Sequence, residues 1–198
     1  MLNVNLGSGP FSTLGWINFD YGLLPLLGKL KLTGFVSKLG LLDKSYVVKW
    51  SKFKYFDIRR PLPLKSDTVD NICCSNVLEH FEKYEAEKIL RECRRVLGRK
   101  GLLRVVLPDI RKLMANYKNS DEFCKEFYGY DKDVSKFSNI FIRGHQWMYD
   151  EEMFVKLLLK CGFTKVNVVA YKQGNCPDID VLDLSVHERL CFYVEATA

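Results

Sequence analysis

Segments typical of strands and of helices alternate through the first two thirds of the chain, and this alternation constrains the fold most strongly. Residues 2–6 are typical of a short strand, residues 69–75 of a buried strand, and the nearly continuous apolar run at 102–107 of a central parallel strand. In residues 82–97, apolar side chains recur at three- and four-residue spacings, as in an amphipathic helix. The alternation predicts an α/β fold with a doubly wound sheet. No repeat or linker interrupts it, so we expect one domain over residues 1–198.

The remaining segments complete this pattern. Further strands are predicted at residues 16–19, 54–56, 163–171 and 190–196. Further helices are predicted at residues 110–129 and 151–161, the second capped by Asp150. Residues 130–148 look irregular, and residues 21–52 form a Leu-, Gly- and Lys-rich insert with one or two short amphipathic helices.

The net charge of +6 comes from one part of the chain. Residues 21–55 hold seven lysines and the single acid Asp43, whereas the rest holds 23 basic and 23 acidic residues. A uniformly basic nucleic-acid-binding protein is therefore not expected. For the insert at about 21–52 we favour a lid or packing role, because most charge runs are solvated faces. Peripheral contact with an anionic membrane surface and capture of an acidic or nucleic-acid substrate are the two alternatives.

The cysteines indicate the cell compartment. There are seven, an odd number, without a C-x-x-C pair, so neither a zinc knuckle nor a redox motif is suggested and no metal site is predicted. Most are expected to be buried thiols of a reducing, cytoplasmic protein. No signal peptide is evident, and no apolar stretch approaches the roughly 20 residues of a membrane span. The sequence does not indicate an oligomeric state.

Small or polar residues follow five of the predicted strands. They are Gly7-Ser8-Gly9, Asp20, Asp57, Ser75-Asn76 and Pro108-Asp109. Ligands of doubly wound sheets bind outside the carboxyl ends of the strands. A glycine turn lets backbone approach a ligand, and an acid after the second strand is the usual acceptor for ribose hydroxyls. A plain tight turn and a solvated aspartate are the alternatives, and the absence of Gly-Lys-Ser/Thr excludes a nucleoside triphosphate loop.

These strand ends resemble those of class I S-adenosylmethionine-dependent methyltransferases. NLGSGP at residues 5–10 is similar to the first motif of that family, although Asn5 stands where many members have aspartate. DIRRPLPL at residues 57–64, followed by DTVD, resembles their "D-x-R-x-x-L-P-F … D-x-x-F-D" stretch. The resemblance continues in SNVLEHF at residues 75–81, LRECRRVL at 90–97 and HQWMYD at 145–150, the last similar to the "H-x-W-M-Y-D" of a small type-11-like subgroup.

The resemblance covers residues 2–196 and implies a fold and a cofactor. The fold is a Rossmann-like, mainly parallel seven-stranded sheet with an antiparallel C-terminal strand and helices on both faces. The cofactor is S-adenosylmethionine. By resemblance, Gly7, Ser8 and Gly9 would flank its methionine part, Asp20 would bind its ribose, Asp57 and Ile58 would meet its adenine, and Asn76 would line the floor beside the methyl group. Because few residues separate the glycine turn from Asp20, the first helix is expected to be vestigial or missing.

Two histidines are the candidate catalytic residues. A general base assists methyl transfer to a hydroxyl or ammonium group, and an unperturbed imidazole titrates near about pH 6.5. His80 and His145 are the candidates. Local backbone bonding is the alternative for His80, and packing as a loop anchor is the alternative for His145. His187 is expected at the surface. For Glu79 we favour a solvated acid at a helix start, and ordering of His80 is the alternative.

Three further residues are candidates for contact with the substrate. Trp147 and Tyr149 lie in a polar, aromatic loop that suits substrate capture. Asp109 could reach the substrate from the fifth strand, although capping of the next helix is favoured.

The expected function is methyl transfer to oxygen or nitrogen of a small-molecule or saccharide-linked acceptor. A non-catalytic module with a degenerate site is the alternative. An RNA or protein methyltransferase is disfavoured by the balanced charge outside the insert and by the lack of an Asn-Pro-Pro-Tyr-type motif, so no nucleic-acid partner is expected.

Overall fold

A computed structural model describes residues 1–129, 141 and 143–198. In this part of the chain, seven strands form one sheet in the spatial order β3-β2-β1-β4-β5-β7-β6. They are β1 (Asn3–Leu6), β2 (Trp16–Asp20), β3 (Lys54–Tyr55), β4 (Val69–Ser75), β5 (Leu97–Pro108), β6 (Lys165–Val169) and β7 (Cys191–Thr197). The first five are mutually parallel, and β7 is antiparallel to both of its neighbours. The expected doubly wound, mainly parallel sheet is confirmed.

Helices surround this sheet. They are α1 (Leu23–Lys29), α2 (Thr33–Lys38), α3 (Lys83–Val96), α4 (Ile110–Ala115), α5 (Ser120–Tyr128), α6 (Glu151–Lys160) and α7 (Ile179–Leu182). Both α1 and α2 lie in the insert, as its pattern predicts. Within the described ranges, no helix has the length and apolar character needed to cross a membrane.

Helix α3 shows how the sequence pattern becomes packing. It begins with a capping box in which the side chains of Glu82 and Glu85 each accept from the other's backbone N–H. Its buried face joins the main hydrophobic core beside the sheet and consists of Ala86, Ile89, Leu90, Cys93 and Val96. Complete burial of one of the larger aliphatic side chains contributes about 1.5–3 kcal/mol before the entropy of ordering is subtracted.

The single helix predicted over residues 110–129 is wrong. Two helices, α4 and α5, are separated by residues 116–119. The side chain of Asn119 accepts from the backbone N–H of Glu122 at 2.9 Å and starts α5, while the Asn116 side chain donates to a backbone carbonyl of α4. Asparagine side chains compete with helical backbone hydrogen bonds, which the apolar periodicity does not reveal. Most of the segment predicted to be irregular, residues 130–148, lies outside the described residues.

No helix joins β1 to β2, as the short spacing predicts. A buried amide network holds residues 7–15 against the sheet instead. Asn5 Nδ2 donates to Asn18 Oδ1 at 3.2 Å, and the same oxygen accepts from the backbone N–H of Thr13 at 3.1 Å. The Asn18 amide in turn donates to the carbonyls of Thr13 and Trp16. These bonds satisfy buried polar groups without a helix.

A buried ion network fixes the C-terminal part of the sheet. Arg104 of β5 donates to Asp183 at 2.9 and 2.6 Å and to Glu195 of β7 at 2.9 Å. All three side chains are buried. Glu195 also accepts from the backbone N–H groups of Asn175 and Cys176. Because these bonds join the sheet to the chain before β7, the network fixes that segment relative to the sheet.

Candidate active site

The turn after β1 places backbone at the carboxyl end of the sheet. Gly7 and Gly9 have φ angles of 69° and 59°, in the left-handed region that favours glycine. The N–H of Gly7 donates to the Phe19 carbonyl at 2.8 Å, which ties the turn to β2. A Cβ on Gly7 would overlap the Val77 side chain, whereas a Cβ on Gly9 would have no atom within 4 Å. Gly7 is therefore required for packing, and Gly9 borders open space.

Asp20 ends β2 beside this turn. One carboxylate oxygen accepts from the N–H of Gly9 at 2.6 Å, and the other accepts from the N–H of Tyr21 at 2.7 Å. Burial raises the pKa of Asp20 to about 6, against the lowering effect of these two hydrogen bonds. A carboxylate has about four acceptor positions, so Asp20 retains the capacity to accept from a pair of hydroxyls.

The turn and Asp20 open onto a cavity of about 650 Å³, which we call the cofactor cavity. Asn76 and His80 also line it from the sheet side. The insert forms another wall with Gly22, Leu23, Leu24, Pro25, Ser45, Tyr46, Val48 and Trp50. Sites for small molecules and cofactors typically measure about 300–1,000 Å³, so the cavity has the size for a nucleoside cofactor.

Three of the residues expected to bind the cofactor do not line this cavity. Asp57 accepts from Arg59 Nε at 2.9 Å and from Nη2 at 2.7 Å, and these bonds lower the pKa of Asp57. Arg59 lines the cavity in its place. Ile58 packs in the main core, and the Ser8 hydroxyl donates to the Gly9 carbonyl. The Asp-x-Arg spacing allows this ion pair, but it does not tell which of the two side chains faces the cavity.

Asn76 lies between two cavities. Its φ is 51°, its N–H donates to the Val106 carbonyl at 2.9 Å, and its amide lies 3.7 Å from Cys191 Sγ. One side of Asn76 lines the cofactor cavity, and the other lines a second cavity of about 450 Å³. Groups held in the two cavities would therefore approach each other at Asn76.

The second cavity is lined by polar and titratable groups, among them Asp109, Glu122, His145 and His187. Asp109 caps α4 by accepting from the N–H of Arg111 at 2.9 Å, as favoured from the sequence. His187, expected at the surface, is half-buried where it lines this cavity, and burial lowers its pKa. A lone histidine in a polar loop gives no sequence signal of this position.

The two candidate catalytic histidines come together from distant parts of the chain. The ring centroids of His80 and His145 are 5.1 Å apart. Burial lowers the pKa of both imidazoles, that of His145 to about 4. Both rings are therefore neutral near pH 7, and His145 is a weak general base but a suitable hydrogen-bond acceptor or metal ligand. His145 Nδ1 also lies 3.0 Å from the Phe127 carbonyl oxygen, in keeping with the loop-anchor alternative.

Glu79 is fully buried, so the expectation of a solvated acid is wrong. It lies in a tight turn, Leu78–His80, against which a distant loop packs. Burial raises the pKa of Glu79 to about 8, and neither carboxylate oxygen has a hydrogen-bond partner among the described residues. One potential ligand atom from each of Glu79, His80 and His145 lies within 4.8 Å of the others. We call these three residues the Glu-His-His cluster.

Trp147 and Tyr149, the residues expected to capture substrate, line neither cavity. Trp147 is partly exposed, and Lys83 Nζ lies 5.4 Å from the centroid of its ring. Tyr149 is fully buried and packs edge-on against Phe154 with ring centroids 5.4 Å apart. Neither side chain is therefore placed to contact a substrate in either of the two cavities.

Residues 39–105 match the family model of a methyltransferase domain. Solved structures match nearly the whole chain. An S-adenosylmethionine-dependent methyltransferase from Thermotoga maritima, described as a possible histamine N-methyltransferase, has a TM-score of 0.52 and 15% identity over 99% of this chain and 81% of its own. Another, from Archaeoglobus fulgidus, has a TM-score of 0.53 and 14% identity over 99% and 85%. The fold is that of a methyltransferase.

Longer proteins share this fold. The CMeT domain structure of the citrinin polyketide synthase matches with a TM-score of 0.53 and 16% identity, and this chain spans 46% of its length. No curated protein matches the sequence at a significant level. Since identities this low establish the fold alone, the sequence support comes from the match over residues 39–105.

The fold and the family match together support the prediction of an S-adenosylmethionine-dependent methyltransferase. The residues that border the cofactor cavity fit that cofactor, because glycine backbone borders open space and the Asp20 carboxylate can accept from hydroxyl groups. Membership in the subgroup suggested by HQWMYD stays a prediction.

Proposed function

We propose that the protein transfers a methyl group from S-adenosylmethionine to oxygen or nitrogen of a small-molecule or saccharide-linked acceptor. The observation that supports this most is the meeting of two cavities at Asn76, one bordered by the glycine turn and Asp20, the other lined by polar side chains. Cofactor and acceptor could enter separate cavities and meet at a single point, as a displacement in line requires.

Five residues of the cofactor cavity have a proposed role. Gly7 and Gly9 flank the methionine part, Asp20 accepts from the ribose hydroxyls, and Asn76 lies beside the methyl group. Arg59 faces the cofactor at the adenine, held in place by its ion pair with Asp57. A planar guanidinium can stack on a ring, which fits this assignment.

The cofactor supplies an electrophilic methyl group on a sulfonium sulfur. Transfer of that methyl group to an oxygen or nitrogen acceptor would require the acceptor to lose a proton. The protein aligns the acceptor and accepts that proton directly or through water. His80 is suited to this because it lines the cofactor cavity and burial keeps its imidazole neutral.

The lining of the second cavity favours a hydroxyl-bearing acceptor. Asp109 and Glu122 offer carboxylate oxygens to hydroxyl donors, and Leu113, Met148 and Val186 offer apolar surface to the carbon face of a sugar ring. The balanced charge outside the insert argues against a nucleic-acid acceptor.

We propose that the insert, residues 21–52, is a lid on the cofactor cavity. Its apolar residues line the cavity, while its six lysines are all exposed. Leu30, Phe35 and Leu39 are also exposed, which keeps membrane contact as a second candidate role. Salt-sensitive co-sedimentation with vesicles that contain phosphatidylserine would support membrane contact. No co-sedimentation at low salt would exclude it.

Calorimetry with S-adenosylhomocysteine tests the cofactor assignment. We expect micromolar binding that weakens at least tenfold in Asp20→Ala, the loss of about 1.4 kcal/mol. Asp180→Ala is the matched control, because that carboxylate has an 85% exposed side chain and lines neither cavity. Equal affinities of the two variants would contradict the assignment.

Release of S-adenosylhomocysteine in the presence of candidate acceptors tests the reaction. The panel contains methyl hexosides, nucleotide-linked sugars, primary amines, bulk RNA and unfolded protein. Turnover with a sugar or amine is expected. Turnover restricted to RNA or protein would overturn the acceptor class, and cofactor binding without turnover in the whole panel would favour the non-catalytic module.

A further inference from the structure

We propose that Glu79, His80 and His145 bind a divalent first-row transition-metal ion, such as Zn²⁺ or Mn²⁺, between the cofactor cavity and the second cavity. Their ligand atoms already lie within 4.8 Å of one another. Bonds of about 2.0–2.2 Å to a shared ion put ligand atoms roughly 3–4 Å apart. Small side-chain rotations therefore suffice to bring the three groups to coordination distances.

Glu79 is the strongest argument for a cation. Its side chain is fully buried, and both carboxylate oxygens lack a hydrogen-bond partner among the described residues. An ionised carboxylate without a partner in the interior costs several kcal/mol. A cation held between Glu79 and the two imidazoles would offset that cost.

The two histidines are oriented as ligands are. His145 Nδ1 lies 3.0 Å from the Phe127 carbonyl oxygen, so Nδ1 carries the proton and Nε2 keeps its lone pair. Such a hydrogen bond from the distal ring nitrogen to a carbonyl is usual for histidines that bind metal. His80 Nδ1 is buried and has no hydrogen-bond partner in the part of the chain that the structure describes.

Backbone contacts hold the cluster together. The N–H of Gln146 donates to the Glu79 carbonyl at 2.7 Å, and the N–H of His145 donates to the Tyr128 carbonyl at 2.9 Å. A Cβ on Gly129 would overlap the His145 ring, so the glycine leaves room for this imidazole. The loop that contributes His145 is thus fixed to the turn that contributes Glu79 and His80.

The place of the cluster suggests its use. His80 lines the cofactor cavity and His145 lines the second cavity. Three protein ligands leave at least one position open, as in catalytic zinc sites, and an acceptor oxygen could occupy it. With the ion bound, His80 is a ligand and no longer the proton acceptor, so the proton of a metal-bound acceptor would pass to water. This role in acceptor binding rests on the proposed function, whereas binding of the ion does not.

The donor set indicates the class of ion. Imidazoles favour Zn²⁺, Fe²⁺ and neighbouring ions over Mg²⁺ and Ca²⁺, which prefer oxygen ligands. The competing explanation is a protonated Glu79 in a neutral cluster without metal. It predicts that neither the wild-type protein nor Glu79→Gln takes up a transition-metal ion, because the amide replaces a neutral carboxylic acid.

Titration with Co²⁺ tests the site in the full-length protein after removal of bound metal by a chelator. We expect one equivalent of Co²⁺ with visible d–d absorption bands typical of nitrogen and oxygen ligands. Glu79→Gln and His145→Gln should each weaken binding at least about tenfold. His187→Gln is the matched control, because His187 lines the same second cavity outside the cluster and should leave Co²⁺ affinity unchanged.

S-adenosylhomocysteine binding, measured on the same variants, separates the two proposals. Glu79 and His145 do not line the cofactor cavity, so both variants should keep wild-type affinity if they fold. Two results would overturn the metal site alone. One is wild-type protein that binds S-adenosylhomocysteine but takes up no Co²⁺, and the other is a Co²⁺ affinity of His145→Gln equal to that of the wild type. Uptake of Co²⁺ without S-adenosylhomocysteine binding would overturn the proposed function and leave the metal site standing.

Discussion

Alanine substitutions at Gly7 and Gly9 differ in one physical respect. Both residues have positive φ, so either substitution places a Cβ in the left-handed region at a cost of about 1–2 kcal/mol. At Gly7 the new Cβ also overlaps Val77, which adds an overpacking cost of about 1–3 kcal/mol. We therefore expect Gly7→Ala to lower the free energy of unfolding by about 2–5 kcal/mol and Gly9→Ala by about 1–2 kcal/mol.

Urea unfolding measures this difference. The series contains both glycine variants, Val77→Ala, and the double variant that combines Gly7→Ala with Val77→Ala. The contacts at issue are with the Val77 methyl groups, so shortening Val77 should recover most of the overpacking cost. Gly9→Ala should act on the cofactor instead, because Gly9 borders the cavity, and should weaken S-adenosylhomocysteine binding more than it destabilises the fold. Equal destabilisation by the two alanines, or no coupling between Gly7 and Val77, would refute the reasoning.

Three further outcomes are expected. The raised pKa of Asp20 is about 6, and ribose hydroxyls bind its ionised form. The dissociation constant of S-adenosylhomocysteine, measured by calorimetry, should therefore rise about tenfold from pH 7 to pH 5. Asp20→Asn should remove this pH dependence. Gly129→Ala should displace the His145 ring towards water, so the pKa of His145 should rise from about 4 towards an ordinary value when followed by NMR. An unchanged pKa would contradict the close packing of Gly129 against this ring. Arg104→Met leaves two buried carboxylates without their cation and should lower the free energy of unfolding by about 3–5 kcal/mol in urea; a loss below 1 kcal/mol would contradict the buried network.

Strands β1, β2 and β4 and helix α3 follow from the sequence because their signals are local, whereas β5 begins at Leu97, five residues before the predicted strand. A run of buried apolar residues or a spacing of three and four is complete within one segment, and the structure places β1, β2, β4 and α3 within one or two residues of the predictions. The break between α4 and α5 escaped because asparagine side chains, rather than periodicity, decide it.

The candidate site also contains residues whose place the sequence predicts and residues whose place it does not. Gly7, Gly9, Asp20 and Asn76 were predicted from strand ends, and all four border the cofactor cavity. Strand ends meet at one edge of any parallel sheet, so their proximity follows from topology. Trp147 and Tyr149 belong to a loop, and side-chain directions in a loop depend on what packs against it.

The sequence by itself determined the alternation of elements, the strand ends that form the cofactor cavity, and the location of the excess charge in residues 21–55, most of it in the insert. The tertiary structure alone decided that Arg59 rather than Asp57 faces the cavity, that His187 lines the second cavity, and that Glu79 is buried beside two histidines. The physical reason is that burial of a side chain in a turn depends on which distant segment covers it. Glu79 looks like any helix-start acid until the loop that contains His145 packs over its turn.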